Sequence, residues 1–143
     1  MSVTITGVDE VIRLMQQVDK VSQSVVTRAA KAGANIVKKD AKANAPVRSG
    51  ALKKSITMKA EKRKKGKKVY DIKFVGENLV KISKSGKRSF YPVSQEYGWM
   101  TKSGKKIIPK KAGYLRNAIK NNRTKVQQTM IDVMKTELEK VRQ

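Results

Sequence analysis

The chain has 143 residues, enough for one domain with a modest hydrophobic core, and its 34 Lys and Arg residues against 11 Asp and Glu residues give a net charge of +23. This excess favours a negatively charged partner, such as nucleic acid, membrane headgroups or an acidic protein surface. The lack of cysteine and histidine excludes disulfides, thiolate zinc sites and histidine-based catalysis. The chain has neither a signal-peptide layout nor an apolar run of about 18 residues, so we expect it to act where it is made, or in a particle assembled there.

The first 44 residues have mainly helical spacing, after a short predicted strand over Val3–Thr6. Apolar residues recur every three or four positions from Val8 to Val18 and predict a first helix. A second helix is predicted over residues 22–44. Its apolar stripe consists mostly of small residues: Val25, Ala29, Ala32 or Gly33, Ile36 and Ala43. Such small side chains predict that another element packs against this helix at close range, and helical structure is expected over residues 8–44.

The stretch APVRSGALKKSI, residues 45–56, separates this helical part from a region of alternating pattern. Pro46 should end the second helix, because the residue before a proline avoids the α region. Ser49 and Gly50 should then form a turn, since the hydroxyl can bond local backbone and glycine tolerates positive φ.

Residues 52–110 are predicted to be mainly β, because apolar and polar residues alternate along several short segments. The predicted strands cover residues 56–60, 70–74 and 79–83. KRKKGKK, residues 62–68, is predicted as a hairpin tip, and KSGKRS and KSGKK, residues 84–89 and 102–106, as further turns. Residues 91–99 are predicted to contain one helical turn opened by Pro92. We find no internal repeat.

From residue 113 to 141 the chain is predicted to form one helix, about 40 Å long at 1.5 Å per residue. Its apolar stripe is Leu115, Ile119, Val126, Met130, Val133, Leu138 and Val141. Such a helix should pack partly on the N-terminal helices and partly on another helix or subunit. The sequence therefore predicts an α+β fold in one domain, residues 1–143. A small antiparallel sheet with a protruding basic hairpin packs against two N-terminal helices and one long C-terminal helix.

One possible catalytic arrangement involves Asp71 and Lys73, which share a predicted strand face, with Glu61 on the neighbouring strand. Metal-dependent nucleases use such a set of acids and a lysine. A solvated strand face with a cross-strand charge pair explains the same residues, and it is the favoured interpretation. We therefore predict no catalytic residue, no metal site, no cofactor and no enzymatic activity. Trp99 fits a core position and an interface anchor equally well.

The candidate contact residues are the cations of the predicted hairpin tip, because residues 51–111 carry 19 Lys and Arg against 4 Asp and Glu. The residues predicted to contact a partner or phosphate are Lys62, Arg63, Lys64, Lys65, Lys67 and Lys68. Phosphate contacts would make binding depend on salt. A solvated tip is the alternative interpretation of the same run.

Four short motifs lie in order along nearly the whole chain. They are the start VTITGVDEVIRLMQQV, the junction APVRSGALKKSI, the segment YPVSQEYG and the helix opening GYLRNAI. Together these motifs resemble the tail-completion or head–tail joining proteins of tailed phages, the family similar to the lambda minor tail protein Z. The resemblance implies a structural role for the motif positions Pro46, Ser49, Gly50, Leu52, Glu96, Gly98, Leu115 and Arg116. In the last motif, Gly113 and Tyr114 stand where the family has a Pro-Phe pair.

The resemblance implies an α+β fold, no enzymatic activity and assembly as a ring in the phage neck or tail top, six-fold where it meets the tail. The implied partners are further copies of the chain and other neck and tail proteins, namely the head-completion or stopper protein, the tail terminator and the tail tube. Non-specific contact with DNA is a further expectation, and no membrane partner is expected. The protein would be made in the host bacterial cytoplasm and reside in the virion. A basic nucleic-acid-binding protein is the alternative function.

Overall fold

The computed structural model describes residues 2–3, 23–47, 50–62, 68–76 and 79–142. Within these ranges the helices are α1 (Gln23–Asn44), α2 (Ala51–Ser55), α3 (Tyr91–Tyr97), α4 (Tyr114–Asn121) and α5 (Arg123–Arg142). The strands are β1 (Ser2–Val3), β2 (Ile56–Ala60), β3 (Tyr70–Phe74), β4 (Val80–Ile82), β5 (Arg88–Phe90), β6 (Trp99–Met100) and β7 (Lys106–Ile107). The fold is α+β, as predicted. The predicted first helix and all but Val3 of the predicted first strand lie outside the described residues.

Helix α1 ends where the sequence predicted, at Asn44, and the amide of Ala45 still donates to the carbonyl of Ala41 at 2.9 Å. Its predicted stripe is correct at Val25, Ala29 and Gly33, which are buried, and wrong at Ala43, which is exposed. The prediction advanced the stripe by 3.6 residues per turn, which leads to Ala43. The buried face instead follows every fourth residue: Val25, Ala29, Gly33, Val37 and Ala41.

Close packing against α1 was predicted from its small residues, and α5 is the helix that packs there. A Cβ atom added at Gly33 would lie 2.9 Å from Val126 Cγ1 and 3.0 Å from Met130 Cγ, so only glycine fits at this crossing without displacing side chains. At the surface, Arg28 of α1 forms an ion pair with Glu137 of α5. The two helices and the sheet enclose a hydrophobic core that includes Leu52, Ile56, Ile72, Leu115 and Met134.

The prediction of one unbroken helix from residue 113 to 141 is wrong, because the chain leaves helical geometry at Asn122, with φ −101° and ψ 6°. The side-chain amide of Asn122 donates to Asp40 Oδ2 at 2.8 Å and to the carbonyl of Ala118 at 2.9 Å. Its own carbonyl accepts the amide of Val126 at 2.8 Å. Asn122 therefore ends α4, starts α5 and ties the break to α1. Of the predicted stripe, Leu115, Val126 and Met130 are buried.

The described strands form a three-stranded antiparallel sheet in the order β1-β3-β2 and two separate two-stranded hairpins, β4-β5 and β6-β7. The register of β2 and β3 runs from Ile56 opposite Phe74 to Ala60 opposite Tyr70, which confirms both predicted strands. Strand β4 confirms the three central residues of the third predicted strand. Strand β5 arises partly within residues that were predicted as a turn, and helix α2 was not predicted. Every helix in the described ranges is too short or too polar to span a bilayer.

Candidate assembly surface

The junction motif lies between α1 and the sheet. Gly50 has φ 73°, in the left-handed region, and its carbonyl accepts the amide of Lys54 at 3.0 Å, which starts α2. A Cβ atom at Gly50 would meet nothing within 4 Å, so the backbone conformation alone favours glycine there. Leu52 is buried in the core, and its carbonyl accepts the Ser55 hydroxyl at 2.7 Å. Pro46 is half-buried, and Ser49 lies outside the described residues.

Glu96 is the central residue of a second motif cluster. Only 3% of its surface is exposed, and its carboxylate accepts the backbone amides of Leu115 at 3.0 Å and Arg116 at 3.1 Å. Helix α4 begins after Gly113, which offers no side-chain cap, and its first turn contains no acidic residue. The carboxylate from α3 therefore satisfies amides that the helix start leaves free and opposes its positive dipole end. We call this arrangement the Glu96 clamp: the Glu96 carboxylate with the amides of Leu115 and Arg116.

Further contacts support the Glu96 clamp. The guanidinium of Arg116 lies 3.5 Å from Glu96 Oε1 and 5.1 Å from the centre of the Tyr97 ring. The carbonyl of Glu96 accepts the amide of Gly113 at 2.9 Å. Gly98 has φ 81°, and a Cβ atom there would overlap the carbonyl oxygen of Ile107. The motif residues Glu96, Gly98, Leu115 and Arg116 thus meet at one place, where α3 is fixed to α4 and to β7.

Tyr114 is buried beside the Glu96 clamp. Burial, and after it the charges of Glu96 and Tyr91, raise the pKa of Tyr114 well above its ordinary value of 10.0. Its hydroxyl makes no hydrogen bond to any described residue. The ring therefore serves as part of the core.

A set of large apolar side chains lies exposed on either side of the Glu96 clamp. We call it the exposed apolar set: Val80, Ile82, Phe90, Val93, Tyr97, Trp99, Met100 and Ile108. Trp99 is 42% exposed, so its core interpretation is wrong and the interface interpretation is favoured. The β4-β5 hairpin is tied to the main sheet by Phe90, whose ring packs edge-on against Phe74 with 6.2 Å between ring centres. Two-stranded hairpins are marginally stable alone, so these strands depend on such anchors.

The basic hairpin tip is described only at its base. Lys62 is exposed, whereas Lys68 is half-buried, donates to the carbonyl of Glu61 at 2.8 Å and lies 5.6 Å from the centre of the Tyr70 ring. The residues between them that were predicted to contact a partner lie outside the described residues: Arg63, Lys64, Lys65 and Lys67. The partner contacts predicted for this tip remain a prediction.

The acids considered for catalysis, Asp71 and Glu61, do not come together in the structure. Lys73 Nζ lies 3.9 Å from Asp71 Oδ2, and Asp71 is opposite Lys59 on β2. The amide of Glu61 donates to the carbonyl of Val69, so Glu61 is displaced along the sheet from Asp71. In the described ranges no three acidic side chains come together as metal ligands. Glu61 and Lys73 are exposed, as the interpretation favoured from the sequence expected, but the Asp71 side chain is only 15% exposed, and its Oδ1 is buried with no hydrogen-bond partner among the described residues. The ion pair of Asp71 is with Lys73 on the same strand rather than across strands.

The comparison with protein families matches the first half of the chain to a phage family. Residues 9–78 match the family described as "Bacteriophage HK97-gp10, putative tail-component", a range that covers just under half of the chain. The range includes α1, the junction motif, β2 and β3, and it ends before the Glu96 clamp. Neither the comparison with curated proteins nor the one with solved structures gives a match. The family match supports a structural component of the phage tail or neck, located in the virion and in contact with other phage structural proteins.

Proposed function

We propose that the chain is a structural protein of the phage neck or tail top that completes the tail and joins it to the head. In this role it forms a ring with further copies and contacts neck and tail neighbours such as the stopper, the tail terminator or the tail tube. Two overlapping findings support the proposal. The family match covers the N-terminal half of the chain, and the four motifs that resemble the lambda minor tail protein Z family extend beyond it to the Glu96 clamp.

The observation that carries the proposal is the exposed apolar set. Its eight large apolar side chains occur within residues 80–108, on two hairpins and the helix between them. So many large apolar side chains exposed within one short segment favour an interaction surface there. The Glu96 clamp and the Phe74–Phe90 contact hold the supporting elements in place, so little ordering is needed when a partner binds.

The cations of residues 62–68 supply a second contact in this proposal, either with acidic surfaces of neighbouring proteins or with DNA. Reversing the charges of Lys64, Lys65, Lys67 and Lys68 should weaken head–tail joining while the isolated chain keeps its fold, because a hairpin tip contributes little to the core. Unchanged particle assembly by this variant would remove the tip from the proposed mechanism.

Electron microscopy of lysates from a phage that lacks this gene tests the proposed function. Separate full heads and finished tails are the expected result for a joining protein. Overlong or malformed tails on heads would indicate tail completion without joining. Intact infectious particles would overturn the proposal and make nucleic-acid binding the leading function.

Complementation then tests the exposed apolar set. A gene carrying Val93→Ser and Trp99→Ser should fail to restore particles, since both side chains belong to the set. Val47→Ser is the matched control, because Val47 is equally apolar, is exposed and lies at the junction, outside the set. Restoration by the double variant would exclude this surface from assembly.

A further inference from the structure

Two turns of the chain share a sequence pattern. Residues 82–90 read ISKSGKRSF and residues 100–108 read MTKSGKKII, so the same Lys-Ser-Gly-Lys occurs twice with a shift of 18 residues. A hydroxyl residue precedes it both times, and a further cation follows it. The prediction that the chain contains no internal repeat is therefore wrong for this short turn pattern. It is correct for repeats long enough to form a structural unit.

The first turn is closed by a fixed set of hydrogen bonds. The Ser83 amide donates to the Lys87 carbonyl at 2.9 Å, and the Gly86 amide donates to the Ser83 carbonyl at 2.9 Å. The Ser83 hydroxyl accepts the amide of Lys87 at 3.1 Å and lies 2.9 Å from the Ser85 hydroxyl. Gly86 has φ 74°, which favours glycine at this position.

The second turn repeats these bonds at the equivalent positions. The Thr101 amide donates to the Lys105 carbonyl at 2.9 Å, and the Gly104 amide donates to the Thr101 carbonyl at 3.1 Å. The Thr101 hydroxyl accepts the amide of Lys105 at 3.0 Å and lies 2.9 Å from the Ser103 hydroxyl. Gly104 has φ 78°. One turn structure is therefore built twice, between β4 and β5 and between β6 and β7.

Each turn presents an aliphatic side chain beside a cation. Ile82 is opposite Arg88 in the first hairpin, and Met100 is opposite Lys106 in the second. Directly opposed residues of antiparallel strands place their side chains on the same face. Ile82 is 66% exposed and Met100 is 63% exposed, so both aliphatic groups lie in water next to their cations.

The surroundings of both turns are strongly positive. Residues 79–111 contain nine Lys and Arg residues and a single acidic residue, Glu96, whose carboxylate is buried in the Glu96 clamp. The cations of the two turns form no ion pair with any residue in the described ranges: Lys84, Lys87, Arg88, Lys102, Lys105 and Lys106. An uncompensated cluster of this kind attracts an acidic partner.

We propose that the two turns form a paired docking element for an acidic protein surface that carries apolar side chains among its carboxylates. Each turn places one aliphatic side chain, Ile82 or Met100, against such an apolar group, while the neighbouring cations meet carboxylates of the partner. A second copy of the chain fits poorly at these two turns, because it carries the same net charge of +23, so the copy-to-copy contacts of the proposed ring would use other surfaces. Nucleic acid would match the cations, but a phosphate backbone offers no apolar group for the exposed aliphatic side chain that both turns place beside a cation.

The proposal can be tested on the purified full-length chain and does not depend on a place in the virion. Three probes are compared by isothermal titration calorimetry: an acidic peptide of repeated Glu-Glu-Leu units, a polyglutamate of equal charge and a short duplex DNA. The Glu-Glu-Leu peptide should bind at least about tenfold more tightly than polyglutamate. The reason is that burying an aliphatic side chain of each turn adds a binding free energy that corresponds to at least such a factor in the dissociation constant.

Substitutions in the turns test whether the turns cause this difference in peptide affinity. Ile82→Ser and Met100→Ser should each weaken binding of the Glu-Glu-Leu peptide about tenfold and leave polyglutamate binding unchanged. Val47→Ser should change neither. The pair Lys84→Gln and Lys102→Gln should weaken binding of both peptides more than the pair Lys31→Gln and Lys125→Gln, which removes equal charge from exposed helix positions. Circular dichroism confirms that each variant is folded.

Three results would overturn the proposal. Tighter binding of the duplex, unaffected by Ile82→Ser and Met100→Ser, would assign the turns to phosphate contact. Equal losses of peptide affinity in the two double lysine variants would show that the peptides respond to overall charge and not to the turns. A dimer detected by analytical ultracentrifugation and abolished by Ile82→Ser would make a second copy the partner.

Discussion

Replacing Glu96 with alanine should destabilise the fold because the Glu96 clamp would be lost. The carboxylate accepts two backbone amides, at 3.0 and 3.1 Å, and hydrogen bonds to a charged group contribute about 1.5–3 kcal/mol each. Arg116 is largely exposed, so its ion pair adds at most about 1 kcal/mol. The cost of burying the carboxylate offsets part of this sum. We expect a net loss of about 3 kcal/mol in the free energy of unfolding.

Urea unfolding followed by circular dichroism measures this loss, and the fluorescence of Trp99, the only tryptophan, follows the region beside the clamp. Glu139→Ala is the matched control, because Glu139 is an exposed glutamate on α5 and its replacement should change stability by less than about 0.5 kcal/mol. If Glu96→Ala and Glu139→Ala have equal unfolding free energies, the two amides do not depend on the carboxylate and the Glu96 clamp has no stabilising role.

Two further substitutions test neighbouring features. Gly98→Ala should lower the free energy of unfolding by at least about 2 kcal/mol and disturb the β6-β7 pairing. The added methyl group would overlap the carbonyl of Ile107, and the residue has a positive φ. An unfolding midpoint equal to that of the wild type, in urea or on heating, would contradict this reasoning. The pKa of Tyr114 is raised above 10.0 by burial and then by Glu96 and Tyr91, so the folded state retains a proton that the unfolded chain releases. The contribution of Tyr114 to stability should therefore be constant below about pH 10 and fall above it. Tyr114→Phe should remove this alkaline fall at little cost below pH 10, since the hydroxyl has no hydrogen-bond partner among the described residues; a fall of equal size in the variant would refute the assignment.

The sequence predicted the parts of the fold that depend on neighbours along the chain. Pro46 marked the end of α1 because its restriction acts on the residue before it. Alternation placed β2 and β3 within their observed bounds, since side chains of a strand point to opposite faces in turn. The small residues of α1 predicted a close crossing, and Gly33 is where α5 approaches.

The features that were missed depend on residues far apart in the sequence. The helix break at Asn122 is tied to Asp40, which is 82 positions away. The apolar stripe does have a gap there, because residues 120–125 are all polar, but such a gap also fits a solvated helix turn. The role of Glu96 was also hidden, because its partners are backbone amides 19 and 20 positions away, which carry no side-chain signature. One signal was available: Glu96 is the single acid among residues 79–111, and an isolated acid in so basic a region needs a local reason.

The Glu96 clamp and the two repeated turns belong to one arrangement. Helix α3 follows β5 directly and ends one residue before β6, so the two hairpins leave opposite ends of a seven-residue helix about 10 Å long. Because Glu96 fixes α3 to the start of α4, it also fixes the separation of the two turns. A partner that has bound one turn then meets the second at a set distance, and this second contact costs little further conformational freedom. Glu96→Ala should therefore lower the affinity of a partner that contacts both turns more than the affinity of a partner that contacts one turn alone.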